Sequence, residues 1–326
     1  MIYDCFTFFN EFDLLEIRLN ALKDVVDRFV LVEATKTFSN LPKPLHFEEN
    51  KGRFTPFLDR IIHVVVDDFP EFDTAWTFEN HQRNAIDRGL TECKDDDVVL
   101  ISDLDEIPKV EAILAHKNDP GITIFEQLHH CYYLNHLYIR RPNWHGTRML
   151  SGKDFRHALD HVSNYGSCNI ERLNQGTTAN KIRTYDEGSI IKDAGWHFSY
   201  LGGLEAIRTK IQSYSHQERN YNDNIDLKNI ERRMSRAFKS HRLIGLEIDE
   251  SYPQYLRENQ EKYASLIGPI TPKDKADWAR KTAWLMAYID RGSYLAAKLL
   301  TCMIPNKKLK KMARVYVADK LFGWGW

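Results

Sequence analysis

Four short apolar runs punctuate the first hundred residues: IYDCFTFF at 2–9, RFVLVEA at 28–34, IIHVVV at 61–66 and VVLIS at 98–102. Runs that are apolar at consecutive positions, and rich in β-branched and aromatic residues, mark strands covered on both faces. Between the first two, Leu14, Leu15, Ile17, Leu22, Val25 and Val26 recur at helical spacing, and AWTFENHQRNAIDRGL at 75–90 reads as a helix with Gly89 near its end. Strand and helix therefore alternate, which predicts an α/β fold: a Rossmann-like, mainly parallel sheet wrapped by right-handed crossovers and flanked by helices.

The pattern changes after about residue 120. ITIFEQLHHCYYLNHLYIRR at 122–141 has the aromatic density of long mixed strands, and loops containing Gly and Asn follow to residue 190. From Gly203 onward the period is helical, in LEAIRTKIQSYSHQ and NIDLKNIERRMSRAFKSH, and residues 275–326 form a Trp- and Tyr-rich tail with helical spacing. The predicted organisation is one domain over 1–270, made of a nucleotide-binding half (1–110) and an acceptor half (111–270), with a helical C-terminal extension over 271–326. In that extension Leu309, Met312, Tyr316 and Leu321 share a face while Lys307, Lys308, Lys310, Lys311 and Arg314 keep it basic. Such a helix either touches an anionic membrane peripherally or docks on the domain.

Charge and cysteines narrow the class. The chain of 326 residues is 43% hydrophobic, enough for a sizeable core, and carries 45 basic against 46 acidic side chains, so it lacks the electrostatic footprint of a nucleic-acid binder. Five scattered cysteines without a C-x-x-C pair fit free thiols in a reducing compartment, and a cytoplasmic protein is expected. The acidic start and the absence of about 18 consecutive uncharged apolar residues argue against a signal peptide and a membrane span.

The run VVLIS ends in Asp103, Leu104, Asp105, Glu106. Ligands of open α/β sheets bind beyond the carboxyl ends of the strands, so Asp103 is placed to face a site. Residues i and i+2 of an extended segment point the same way, and two carboxylates so presented suit Mn²⁺ or Mg²⁺ holding a diphosphate. The alternative is that the two aspartates cap a helix opened by Pro108. A second stretch, DAGWHFSYLGGLEAI at 193–207, sets Trp196 and His197 before a Gly-Gly turn and a helix that opens with Glu205. Trp196 is either core or a sugar platform, and His197 either a buried, satisfied imidazole or a metal ligand. His129, His130 and Cys131 make a poor zinc site, because adjacent strand residues face opposite sides.

Residues 3–39, HQRNAI at 81–86, DDDVVLISDLDEIP at 95–108 and AGWHFSYLGG at 194–203 resemble glycosyltransferase family 17, the family of the β-1,4-mannosyl-glycoprotein 4-β-N-acetylglucosaminyltransferases. The resemblance runs in order from about residue 3 to about residue 220. It implies a GT-A fold, a UDP-sugar donor and inverting transfer, with GlcNAc moved from UDP-GlcNAc in β linkage to a hydroxyl of a glycan or glycolipid acceptor. On that basis Asp103 and Asp105, with His197, hold the metal, and Glu33, Thr35, Arg83 and Trp196 join Asp103 around the donor. Inverting transfer also needs a base. Glu205 is the first candidate, against the reading that it merely complements a helix dipole. Glu106 is the second, although it points away from Asp105 and fits a role behind the metal. The chain starts directly on the first strand, so a surface polysaccharide or lipid-linked glycan is expected as acceptor in place of a lumenal N-glycan. Two other classes remain open: a glycan-binding protein without catalysis, and a D-x-D phosphatase or phosphotransferase, whose motif ordinarily ends the first strand of its domain and not about the fourth.

Overall fold

The computed structural model describes residues 1–160, 179–283 and 313. It resolves two compact units, the first built from Met1–Leu128, Asn143–His197 and Asp249–Tyr263, the second from His129–Pro142, Phe198–Ile248 and the described residues from Ala264 on.

The first unit opens with β1 (Ile2–Phe8), α1 (Phe12–Leu22), β2 (Arg28–Ala34), α2 (His46–Asn50), β3 (Ile61–Val66), α3 (Ala75–Asn84) and β4 (Val98–Asp103). The strands pair in the order β4-β1-β2-β3, all parallel, with Tyr3 beside Arg28 and Val99, and Phe29 beside Ile61. The apolar runs of β1, β2 and β4 are buried on both faces, as parallel strands between helix layers require, whereas β3, expected to be covered likewise, is the edge strand and leaves Val65 exposed. One face packs Cys5, Val30, Val32, Val99 and Ile101 with Ile86, Phe155 and Ile182. The helical segment at 75–90 divides: α3 ends at Asn84 and a 3₁₀ turn carries the chain from Ala85 to Gly89.

After β5 (Glu106–Pro108) and α4 (Val110–His116), the first unit adds β6 (Thr123–Cys131) as far as Leu128, then β8 (Asn143–Ser151), α5 (Gly152–Asp160), α6 (Ala179–Thr184), β9 (Ser189–Ile191) and β10 (Gly195–Ser199) as far as His197. Strand β8 lies antiparallel to both β4 and β6, so the parallel half of the sheet passes into a mixed half directly beside the strand that carries Asp103. Strand β10 pairs antiparallel with β5, setting His197 opposite Glu106 and Trp196 opposite Ile107. Gly195 permits this approach: a Cβ there would stand 2.3 Å from the Ile107 carbonyl oxygen.

In the second unit β7 (His136–Tyr138) pairs antiparallel with β11 (Leu243–Gly245). Helices α7 (Gly203–Ser213), α8 (Asn222–Ile225) and α9 (Leu227–Lys239) contribute Ile207, Ile211 and Ile230 to a small core with Cys131, Tyr132 and Leu243. Short α10 (Gln254–Glu258) returns to the first unit. Residues 273–283 begin the expected C-terminal extension as helix. The basic amphipathic segment around Lys307–Lys311 and the expected membrane contact lie outside the described residues. Among the described residues no helix is long and apolar enough to cross a membrane.

Candidate active site

Asp103 is the last residue of β4, and the chain turns through Leu104 and Asp105 before Glu106 opens β5. Helix α4 starts only at Val110, behind Lys109, so neither aspartate caps it. The turn is held from beneath by Arg18 of α1. Its guanidinium is fully buried and donates to the carbonyl oxygens of Asp103 (3.1 Å), Leu104 (3.1 Å) and Glu106 (2.8 Å) and to Ser102 Oγ (2.5 Å). Asp4 of β1, also fully buried, neutralises it through two contacts of 2.7 and 2.5 Å. A buried arginine with its donors and charge matched in this way fixes the backbone of the D-x-D turn.

Glu106 braces the same turn from the side. It is fully buried and accepts from the Asp103 N–H at 2.9 Å, from Trp144 Nε1–H at 2.6 Å and from the Arg183 guanidinium. Trp144, 38% exposed on β8, stacks on the His197 ring at 4.5 Å between centroids. His197 Nε2 in turn lies 3.7 Å from Asp105 Oδ1. Asp103 faces cations: Arg83 Nη2 is 2.8 Å from Oδ1 and Arg183 Nη2 is 3.7 Å from Oδ2. Burial alone would raise the Asp103 carboxyl, but Arg83 and Arg183 outweigh it and hold the group below the ordinary carboxylate range.

The sequence-derived residues are therefore only partly assembled. Asp103, Asp105, Glu106, Arg83 and His197 converge on one turn. Asp103 faces two arginines, and Asp105 lies beside an imidazole. Glu33 is fully buried, and its carboxylate accepts from the Phe47 N–H at the start of α2, from His63 at 3.2 Å and from Lys43 at 3.5 Å, which makes it an organiser of the 43–47 loop. Thr35 donates its N–H to the Val66 carbonyl just past β2. Trp196 is buried and donates Nε1–H to the Ser251 carbonyl oxygen, with Lys109 over its ring at 5.5 Å. Glu205 belongs to the second unit: it sits in the first turn of α7 after Gly202 and Gly203, both at positive φ, and its exposed carboxylate pairs with Arg208 at 2.5 Å.

Arg18, Asp4, Trp144 and Arg183 were not singled out from the sequence. Arg18 and Asp4 carried a signal: each is a charged residue inside a pattern whose neighbours are apolar and buried.

Two carboxylates are a donor set for Mn²⁺ or Mg²⁺, and an added imidazole favours the transition-metal ion, Mn²⁺, over Mg²⁺. Among the described residues no three potential ligands are already gathered into a cage. A cation of this type is commonly held by one or two carboxylates and completed by water and substrate phosphates, so the D-x-D turn fits one without a preformed cage.

Several known proteins are similar to this chain. β-1,4-Mannosyl-glycoprotein 4-β-N-acetylglucosaminyltransferases from Homo sapiens and Rattus norvegicus are each 31% identical over 227 residues, which is 63% of this chain and 41% of theirs. The Mus musculus protein is 30% identical over the same length. The chain thus spans about two fifths of the length of these relatives (41%). Among solved structures, the mannosyltransferase PcManGT from Pyrobaculum calidifontis, in complex with GDP-Man and Mn²⁺, matches at 12% identity and a TM-score of 0.38, covering 99% of this chain and 87% of that one. The model of glycosyltransferase family 17 matches residues 1–239, well over half of the chain, and the chain belongs to that family.

Proposed function

We propose that the chain is an inverting, metal-dependent glycosyltransferase that transfers a sugar, GlcNAc from UDP-GlcNAc, in β linkage to a hydroxyl of a glycan or glycolipid. The observation that carries this reading is the D-x-D turn at the carboxyl end of β4, gripped by Arg18 and Glu106, with Asp103 partly exposed beside two arginines and Asp105 buried beside His197. Family membership adds the reaction class, and the human, rat and mouse relatives are named for N-acetylglucosaminyl transfer.

Asp103 and Asp105, with His197 beside Asp105, would hold a divalent cation. Bound there, the cation supplies positive charge where the departing diphosphate becomes more negative. Arg83 and Arg183 offer guanidinium groups matched to phosphate oxygens next to the same carboxylate. Glu106, buried and bonded to three donors, holds the turn in place and is poorly disposed to meet an acceptor. For the base that inverting transfer needs, the candidate is Glu205, exposed on α7 and paired with Arg208.

Thermal unfolding of the purified chain with a panel of nucleotide sugars, with and without Mn²⁺, tests the donor without knowledge of the acceptor. The reading expects UDP-GlcNAc to raise the Tm in the presence of Mn²⁺ and to be slowly hydrolysed. A Tm unmoved by every nucleotide sugar would leave the site without a donor. Binding without any turnover would favour a glycan-binding role over catalysis.

A further inference from the structure

Arg83 is shared among three acceptors. Nη2 lies 2.8 Å from Asp103 Oδ1 and 2.9 Å from Glu79 Oε1, while Nη1 lies 2.5 Å from Asn180 Oδ1. Its side chain is only 6% exposed, so water and salt screen it far less than a surface arginine. Arg183 adds a second cation on the other oxygen of Asp103. A divalent cation arriving at Asp103 therefore competes with a guanidinium on each carboxylate oxygen, the closer of them Arg83. A cation arriving alone must displace Arg83 and leave a buried guanidinium short of one partner, a costly exchange.

A diphosphate removes that conflict. It brings more negative charge than Asp103 gives up, and phosphate oxygens match the planar fork of a guanidinium. Glu79 and Asn180 remain within reach of Arg83, so the group has only to shift between neighbouring acceptors and not to leave its place.

We propose that Arg83 is an interlock on the D-x-D site: it closes Asp103 to a divalent cation alone and opens it to a cation and a nucleoside diphosphate together, by moving from Asp103 onto the phosphates. This rests on the nucleotide-sugar reading of the site given above. The site would then be charged only when the donor is present, and a free cation would not occupy it ahead of the donor.

Mn²⁺ binding to the full chain, followed by loss of the free Mn²⁺ paramagnetic resonance signal, reads the interlock directly. It is measured with Mn²⁺ alone, with UDP and with inorganic pyrophosphate. Arg83→Gln is expected to bind Mn²⁺ alone about fivefold or more tighter than the unmodified protein, and Mn²⁺ with UDP about fivefold or more weaker. Arg83→Lys keeps the charge without the fork, so it should shift both affinities in the same directions by less. Pyrophosphate should behave as UDP does, because the phosphates and not the base move the arginine. Three results would overturn the proposal: Mn²⁺-alone affinity unchanged or weakened in folded Arg83→Gln, Arg83→Lys identical to the unmodified protein, or Mn²⁺ bound equally well with and without UDP. Should the unmodified protein bind neither UDP nor pyrophosphate with Mn²⁺, the nucleotide-sugar reading falls and the interlock with it; intact binding of Mn²⁺ with UDP and an unresponsive Arg83→Gln removes the interlock alone.

Discussion

Arg18 and Asp4 meet in a two-point contact of 2.5 and 2.7 Å with no exposure to solvent, and the same guanidinium holds three carbonyl oxygens and a hydroxyl of the D-x-D region. Removing one partner leaves a bare charge in the core. Arg18→Met should therefore lower the unfolding free energy by about 3–5 kcal/mol, and the double variant Asp4→Asn/Arg18→Met by clearly less, since it leaves no unpaired ion. Urea denaturation measures both. Equal losses in the single and double variants would show that the pair acts through packing and not through charge.

His136 gives the second unit a pH signature. It is buried, donates toward the Pro269 carbonyl at 3.2 Å and stacks on Phe238, and burial lowers its pKa to about 4. Its unfolded value is about 6.5. Below that pH the unfolded chain takes up a proton that the folded chain refuses, so this contribution is fully present above about pH 6.5 and is lost as the pH falls toward the folded value. Unfolding free energy should rise with pH across that window, by about 3 kcal/mol at most for this residue. His136→Gln should flatten the rise; an unchanged slope in the variant would assign it to other groups.

Glu205→Gln separates base from helix-dipole partner. If Glu205 takes the acceptor proton, kcat should fall by about 10²- to 10⁴-fold with donor KM nearly unchanged. If it serves only the start of α7, the amide costs a fraction of a kcal/mol and the rate stays within about threefold. Steady-state kinetics with a defined acceptor distinguishes them. An active Glu205→Gln protein alongside an inactive Glu106→Gln protein that still binds metal would move the base to Glu106.

The parallel half of the sheet was legible because β1, β2 and β4 are covered on both faces, which writes a continuous apolar run into the sequence. The place of Asp103 followed from that run alone. What could not be read depends on pairings distant in the chain. Arg18 meets Glu106 across 88 residues, and Arg183 meets it across 77 from a helix of 6 residues, too short to show a period. Trp144 stands in a polar stretch, where a single aromatic has no partner visible in sequence. Glu33 looked like a strand-end ligand because its acceptor role toward Phe47, 14 residues on, depends on how the intervening loop returns. The two units also interleave, each drawing on three separate stretches of chain, an arrangement that a division by sequence order does not reveal.

The central claim is that Asp103 and Asp105 join a divalent cation to a nucleoside diphosphate. Calorimetric titration of UDP, in Mn²⁺ and again in excess chelator, on the unmodified protein and on Asp105→Asn, tests it most directly. The account predicts UDP affinity at least about tenfold lower in chelator and in the variant, with the urea midpoint of the variant unchanged. UDP bound equally tightly in all of these conditions would contradict it.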